Sequence, residues 1–535
     1  MIKRKKVTYV LLFIFLFILG IFFLYERKTE KFSQIENNEK IELAIYLNDE
    51  ETNTIPTKDS GYYLDLEKSS CTNNAIIQFD TNTWSPVIKN MSEYKTRCEL
   101  HFGSTYKESI LNGTDPVLED PLIPVTIDND GVVRKASLAN EWYSYEKKNW
   151  ANAVILFDEN ETYEDGEVIP EEKIESYFVW IPKYRYQLWD LGLYDSLTSI
   201  DTSKVHEIPI IFGDYNTRDD VDGECTTPMT SGATGNCSVG DYMTHPAFLG
   251  IPSTGFWVGK FETGTTLTSD YNVRNGDAIQ IKSNVSSWRN IQLANMFYTS
   301  YDYKRDLDSH MMKNTEWGAV AYLQHSAYGS AISVRMNSNS AFITGYQANN
   351  EPTCGSTGTN DECNHFCNDG TCNTAYPNST LASTTGNITG IYDMSGGAWE
   401  HVMGVIQDEN GSPMSGENLN TNSGFSGLNT DGSFTNGLEL PNEKYYDQYL
   451  LSNSTDYQRR ILGDATGEMG PIARLANSNL VHSWYNDNAW FSTNNDPWFA
   501  RGSQYSSGFE TGMFSYGAEA GGVAGHISFR IVLTP

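Results

Sequence analysis

Apolar residues run almost unbroken from Val7 to Tyr25, with only Thr8 and Gly20 between large side chains. At the rise of an α-helix this stretch would be about 28 Å long, close to the hydrocarbon thickness of a bilayer. Lys3, Arg4, Lys5 and Lys6 precede it, whereas Glu26 and Glu30 dilute the cations that follow. That bias predicts a single-pass membrane helix with a cytoplasmic N-terminus and the remaining chain outside the cell. A cleaved signal peptide is the rival reading. The length of the apolar run, and the absence of a small-x-small site near Phe22–Glu26, weigh against it.

Beyond a polar linker (28–40) the pattern changes to period two. Ile41–Leu47, Tyr62–Leu66, Ala75–Phe79 and Cys98–Phe102 alternate apolar and polar residues, with Gly61, Asn73, Asn74 and Asn82 at the turns and Trp84 and Pro86 between the last two. These predict a small β-module over 41–103, stapled by Cys71 and Cys98 because so small a core needs a cross-link. A second linker, 104–124, leads to a large domain over 125–535. There, Tyr177–Pro182 and Phe256–Glu262 read as buried strands, and Gly525–Leu533 alternates as a terminal strand. Helical spacing occurs in Trp288–Tyr298, with Ile291, Leu293, Ala294 and Phe297 inward. It recurs in Asn314–Tyr328, where Trp317, Val320, Ala321 and Gln324 form a face and Asn314 or Thr315 stands at the cap position. The fold class predicted is α+β: a transmembrane helix, a small disulfide-linked β-module, and a domain of few helices and long loops.

Composition narrows the function. The formal net charge is −31, which excludes a basic face for nucleic acid or anionic lipid. All eight cysteines follow the apolar run, in even groups: Cys71 with Cys98, Cys225 with Cys237, then Cys354, Cys363, Cys367 and Cys372. Even groups in an oxidising compartment read as disulfides. The last four lack the paired spacing of a zinc site, and their mutual pairing stays open.

Three stretches follow in order: Gly255–Glu262 (GFWVGKFE), Lys313–Tyr322 (KNTEWGAVAY) and Gly390–Glu400 (GIYDMSGGAWE). Arg501-Gly502-Ser503 and Ser528–Leu533 (SFRIVL) come after them. Together they resemble the formylglycine-generating enzyme (sulfatase-modifying factor) family. The resemblance implies an elaborated C-type-lectin-like fold. It also implies a structural Ca²⁺ ion at Asp393, Gly396, Ala398 and Glu400, the glycine and alanine through their carbonyls. Hard oxygen donors around a tight turn suit that ion.

The family's oxidases need two cysteines just after the arginine motif, as soft copper ligands and redox partners. Here the matching stretch is Arg501–Ser506 and no cysteine follows Cys372, so that oxidase chemistry is excluded. The nine histidines show no ligand spacing; His401, beside Glu400, is the one of interest. What remains is binding. The stretch from Ser483 to Ala520 is dense in aromatics among Asn, Ser and Gly, the chemistry of a paratope. Its layout is similar to the C-termini of diversity-generating retroelement target proteins. Tyr485, Asn486, Asn488, Trp490, Asn494, Asn495, Tyr505 and Phe509 are the expected ligand contacts, while Trp399, Trp498 and Phe529 are expected in the core. The expected function is a membrane-anchored cell-surface protein that binds an extracellular protein or glycan, and no nucleic acid. The alternative is an extracytoplasmic metal-dependent enzyme of the same superfamily with a non-cysteine site.

Overall fold

The computed structural model divides into two units, Met1–Ile110 and Leu111–Pro535. In the first it describes strands alone. In the second it describes residues 112–190, 205–213, 237–249, 251, 253–336, 376–407, 422–428, 434–450, 461–469, 473–474, 481–493, 495–507 and 510–535.

In the first unit Leu43–Leu47 pairs in parallel with Ala75–Asp80, and Tyr62–Cys71 pairs antiparallel with Cys98–Ser104. Cys71 stands directly opposite Cys98, the placement the staple requires. A strand that the alternation did not disclose, Ser85–Asn90, lines the outer side of Ala75–Asp80 with Pro86 opposite Phe79. Proline has no N–H for a ladder, so it masks a strand in the sequence and is tolerated only at a sheet edge.

The second unit is built around two large sheets, with smaller ones of two or three strands beside them. The larger has seven strands: β1 (Ile123–Ile127), β2 (Val133–Lys135), β3 (Asn152–Leu156), β4 (Ile174–Pro182), β5 (Gly255–Gly259), β6 (His310–Met311) and β12 (Ile531–Leu533). Their spatial order is β6-β12-β5-β4-β3-β1-β2, antiparallel throughout. Its centre is apolar on both faces. Trp180 sits opposite Trp257, their rings 5.3 Å apart, and the indole N–H groups donate to the Thr114 and Val117 carbonyls. The second sheet comprises β7 (Trp399–Gln407), β8 (Asp447–Leu450), β9 (Trp498–Arg501), β10 (Tyr516–Glu519) and β11 (Ile527–Phe529). It runs β8-β7-β9-β10, with β11 parallel to the first residues of β7. The expected terminal strand is therefore two strands in two sheets, and the chain changes sheets at Arg530.

The α+β class with an N-terminal transmembrane helix is corrected by this architecture. Among the described residues the unit is predominantly antiparallel sheet. The α-helices among the described residues are α1 (Leu293–Tyr303) and α2 (Asn314–Gln324), of 11 residues each. This replaces the α+β framework expected from the pattern of strands, helices and loops. Among the described residues no helix is long and apolar enough to cross a membrane; residues 7–25 lie outside them. Sheet content was underestimated for a physical reason. β3 is buried at all five positions, and a strand covered on both faces has no alternation to detect.

Both helices lie close to where the periodicity puts them, with the expected inward residues buried. Their ends differ. The α2 N-terminus is not capped by its own Asn314 or Thr315. The Lys313 amide donates to Glu316 at 2.8 Å, and the Thr315 amide to Asp447 of β8 at 2.7 Å. Such a cap, 132 residues away, answers the helix's unpaired amides but cannot be read from local sequence. Every residue of α2 is buried, which is more than one face.

Candidate ligand-binding face

Arg530 occupies the crossover between β11 and β12, and its guanidinium joins the two sheets. Nε donates to Glu400 Oε2 at 2.8 Å and one Nη to Glu400 Oε1 at 2.5 Å; the remaining donors reach the Gly259 and Tyr392 carbonyls. The Arg530 carbonyl accepts from the Met312 amide, just before α2, at 2.9 Å. Two more carboxylates lie close by. Asp393, with φ of +65°, accepts from the Glu262 amide at 3.3 Å, and Glu262 itself accepts from the Ala398 amide at 2.8 Å and from the Ser287 hydroxyl. All four side chains are buried.

Three carboxylates thus share one guanidinium. Burial pushes the Asp393 carboxyl up to about 7, with Glu400 adding repulsion and Arg530 opposing it. Burial, then the charges of Glu400 and Asp393, hold Glu262 well above the carboxylate range. Burial works against the Arg530 charge, but Glu400 outweighs it and raises the guanidinium further.

Two of these residues, Asp393 and Glu400, are ones that the resemblance assigns to calcium together with the carbonyls of Gly396 and Ala398, and here protein donors engage their carboxylates. Both Glu400 oxygens engage Arg530, and one Asp393 oxygen engages an amide. Among the described residues no three His, Cys, Asp or Glu side chains are grouped to hold a metal. The Ser-Gly-Gly turn between them performs a structural task. Gly396 and Gly397 take φ values of +87° and +77°, which glycine adopts without a Cβ penalty. The Gly396 amide then donates to the Gly502 carbonyl at 3.0 Å, and the Gly397 carbonyl accepts from the Tyr505 amide at 2.7 Å.

The raised Asp393 has a signed consequence. A carboxyl whose folded pKa exceeds its unfolded value favours folding most at low pH, and that contribution is lost as pH rises through about 7. Asp393→Asn keeps an acceptor for the Glu262 amide, tolerates the left-handed backbone, and carries no charge. It is expected to gain stability relative to the parent as pH rises from 5 to 8. Urea midpoints of both proteins across that range check this, and a pH-independent difference would refute it.

The stretch that the turn holds is part of the expected ligand face. Trp490 is 56% exposed and Tyr505 39%; Asn495 is exposed as well. The Trp490 amide donates to the Tyr516 carbonyl at 3.0 Å, which places Trp490 along β10. Tyr485 is half-buried. Its ring stacks on Phe514 beside the buried Trp484, and its hydroxyl lies 2.6 Å from His325 Nε2. His325 Nδ1 lies 2.9 Å from the His206 carbonyl. A carbonyl only accepts, so Nδ1 carries the proton and Nε2 receives the tyrosine O–H. Burial lowers His325 to about 4, consistent with a neutral ring. Tyr485 has φ of +62°, a conformation costing about 1–3 kcal/mol for a non-glycine residue. The histidine bond and the aromatic pad hold it there.

Asn488, in contrast, is buried. Its amide side chain donates to the Tyr516 carbonyl at 3.0 Å, so it supports the face from beneath. Asn494, Phe509 and the side chain of Asn486 lie outside the described residues. Trp399, Trp498 and Phe529 are in the core as expected. His401 is buried on β7, with Nδ1 3.3 Å from the Phe499 carbonyl.

Sequence reasoning missed Arg501, which the aromatic segment supplies to the core. Its guanidinium lies between the Trp317 and Tyr516 rings, 5.7 and 5.6 Å from their centres. It donates to Asn314 Oδ1 and to the Asp464 and Ala465 carbonyls. The Arg-Gly-Ser motif marked the position, but its partners are distant in sequence. No family model matches this chain, and no curated protein matches it.

Proposed function

We propose that this chain is a recognition protein working outside the cytoplasm, and that the face displayed by residues 483–516 binds its ligand, a protein or a carbohydrate. One observation carries the reading. Among the described residues the exposed aromatic side chains are Phe157, Trp490 and Tyr505; two of these three belong to the segment singled out by composition. Large rigid side chains left in water on a framework that buries its other described aromatics wholly or in part are the usual makings of binding hot spots. The framework under them is well braced, by the Gly396-Gly397 turn on one side and by β10 on the other.

Location has its own support, since Cys237 is disulfide-bonded, as chains in oxidising compartments are. The resemblance to the formylglycine-generating family, without its oxidase cysteines, is part of the same proposal. Three of its signatures meet in space, because Arg530 of the closing stretch bonds the Gly255–Glu262 and Gly390–Glu400 stretches, and its carbonyl accepts from Met312 just before the Lys313–Tyr322 stretch.

The test is a screen of the purified protein against glycan and protein arrays, followed by Trp490→Ala and Tyr505→Ala on any hit. Each substitution is expected to weaken binding by at least about thirtyfold while the circular dichroism spectrum stays that of the parent. Hits that survive both substitutions unchanged would place the site elsewhere.

A further inference from the structure

The aromatic segment carries carboxylates and no accessible lysine or arginine of its own. Residues 483–520 contain four acids, Asp487, Asp496, Glu510 and Glu519, and a single cation, Arg501. Arg501 is fully buried and engaged with the core, and Asp487 is buried too. The charge available to a ligand on this segment is therefore wholly negative.

The acids stand where the aromatics are. The Glu510 carbonyl accepts from the Asn488 amide at 2.9 Å and from the Ser503 hydroxyl at 3.2 Å, so this residue lies between the stretches that lead to Trp490 and Tyr505. Asp496 closes the turn after Trp490, its carbonyl accepting from the Thr493 amide at 2.9 Å. Glu519 is opposite Trp498 at the end of β10. Asp496 and Glu510 have no ion-pair partner among the described residues, and Glu519 has His526 at 3.8 Å. Burial raises both unpaired carboxyls; repulsion from Glu519 adds to this at Asp496, while His482 opposes it at Glu510. An arriving cation would relieve that unbalanced charge.

We infer, resting on the recognition reading above, that the face takes a protein segment bearing arginine or lysine, whose cations meet Asp496 and Glu510 while their planes or stems lie over Trp490 and Tyr505. Aromatic faces attract cations through the ring quadrupole, and arginine both stacks and pairs with carboxylates. A neutral glycan would use the rings and leave the carboxylates unanswered.

The experiment titrates the full chain with three probes: a synthetic Arg-Gly repeat peptide, a Glu-Gly repeat of equal length, and a neutral oligosaccharide of six sugars. Tryptophan fluorescence is read at low and moderate salt. The Arg-Gly peptide is expected to bind, more weakly at higher salt. Asp496→Asn with Glu510→Gln should weaken it about tenfold, as two partly exposed charge pairs at the upper end of the surface range would. Glu164→Gln with Glu172→Gln, on an acidic surface elsewhere, should not. Equal losses from the two acid pairs would mean diffuse attraction to a chain of net charge −31 and would overturn the inference. Salt-insensitive, Trp490-dependent binding of the oligosaccharide would also overturn it while leaving the recognition reading intact. Array hits indifferent to Trp490 and Tyr505 would defeat that reading itself.

Discussion

Arg530→Met is expected to be among the most damaging single substitutions in the large unit, costing about 3–5 kcal/mol. The reason is the imbalance around this residue. Methionine can fill much of the arginine's volume, so packing is not the main loss. The loss is the guanidinium bonded to Glu400, in a site that also holds Asp393 and Glu262. A buried carboxylate deprived of its partner bears the full desolvation penalty, and the Gly259 and Tyr392 carbonyls lose their donor as well. Chemical denaturation of the parent and variant measures the effect. Adding Glu400→Gln to the variant should restore part of the stability, because it removes the orphaned charge. A loss below about 1 kcal/mol for Arg530→Met, or no rescue by Glu400→Gln, would contradict this account of the junction.

Gly318→Ala should be comparably harmful, and it sets two effects against each other. Alanine in a helix interior is favoured over glycine by about 1 kcal/mol, so propensity alone forecasts stabilisation. In α2, however, a Cβ at this position would lie 2.0 Å from the Gly463 carbonyl oxygen and 2.8 Å from the Asp464 carbonyl carbon. Backbone cannot swing aside as a side chain can, so the helix and the 461–469 loop would have to separate. Overpacking of this kind typically costs about 1–3 kcal/mol and at backbone contacts more, which outweighs the propensity gain. The same loop supplies two acceptors to Arg501, so the damage should spread towards the aromatic face. Thermal unfolding with near-ultraviolet circular dichroism would register both. A raised melting temperature would show that α2 does not approach the loop this closely.

Much of this molecule was legible in its residues. Period-two alternation located strands in the N-terminal unit, and the 3.6-residue spacing located α1 and α2 within a few residues. Composition picked out the segment carrying Trp490 and Tyr505. These features are local, dictated by neighbours within a turn or a strand, and local preference writes them directly into the order of residues. Ser85–Asn90 and β3 escaped because Pro86 and a fully buried NAVIL run carry no alternation.

Tertiary structure decided the rest. Glu400 and Asp393 have the donors of a calcium turn when read along the chain. Folding brings Arg530 to Glu400 from 130 residues away, an ion pair that the local sequence does not show. Asn488 reads as an adaptable surface amide until β10 covers it and takes its hydrogen bonds. The closing stretch reads as one strand until Arg530 divides it between two sheets. In each case the residue type sets what a side chain can do, whereas the partner that fixes what it does arrives from a distant segment. That is why the aromatic composition of the proposed recognition face was visible in the sequence, and the braces that hold it became visible only in the fold.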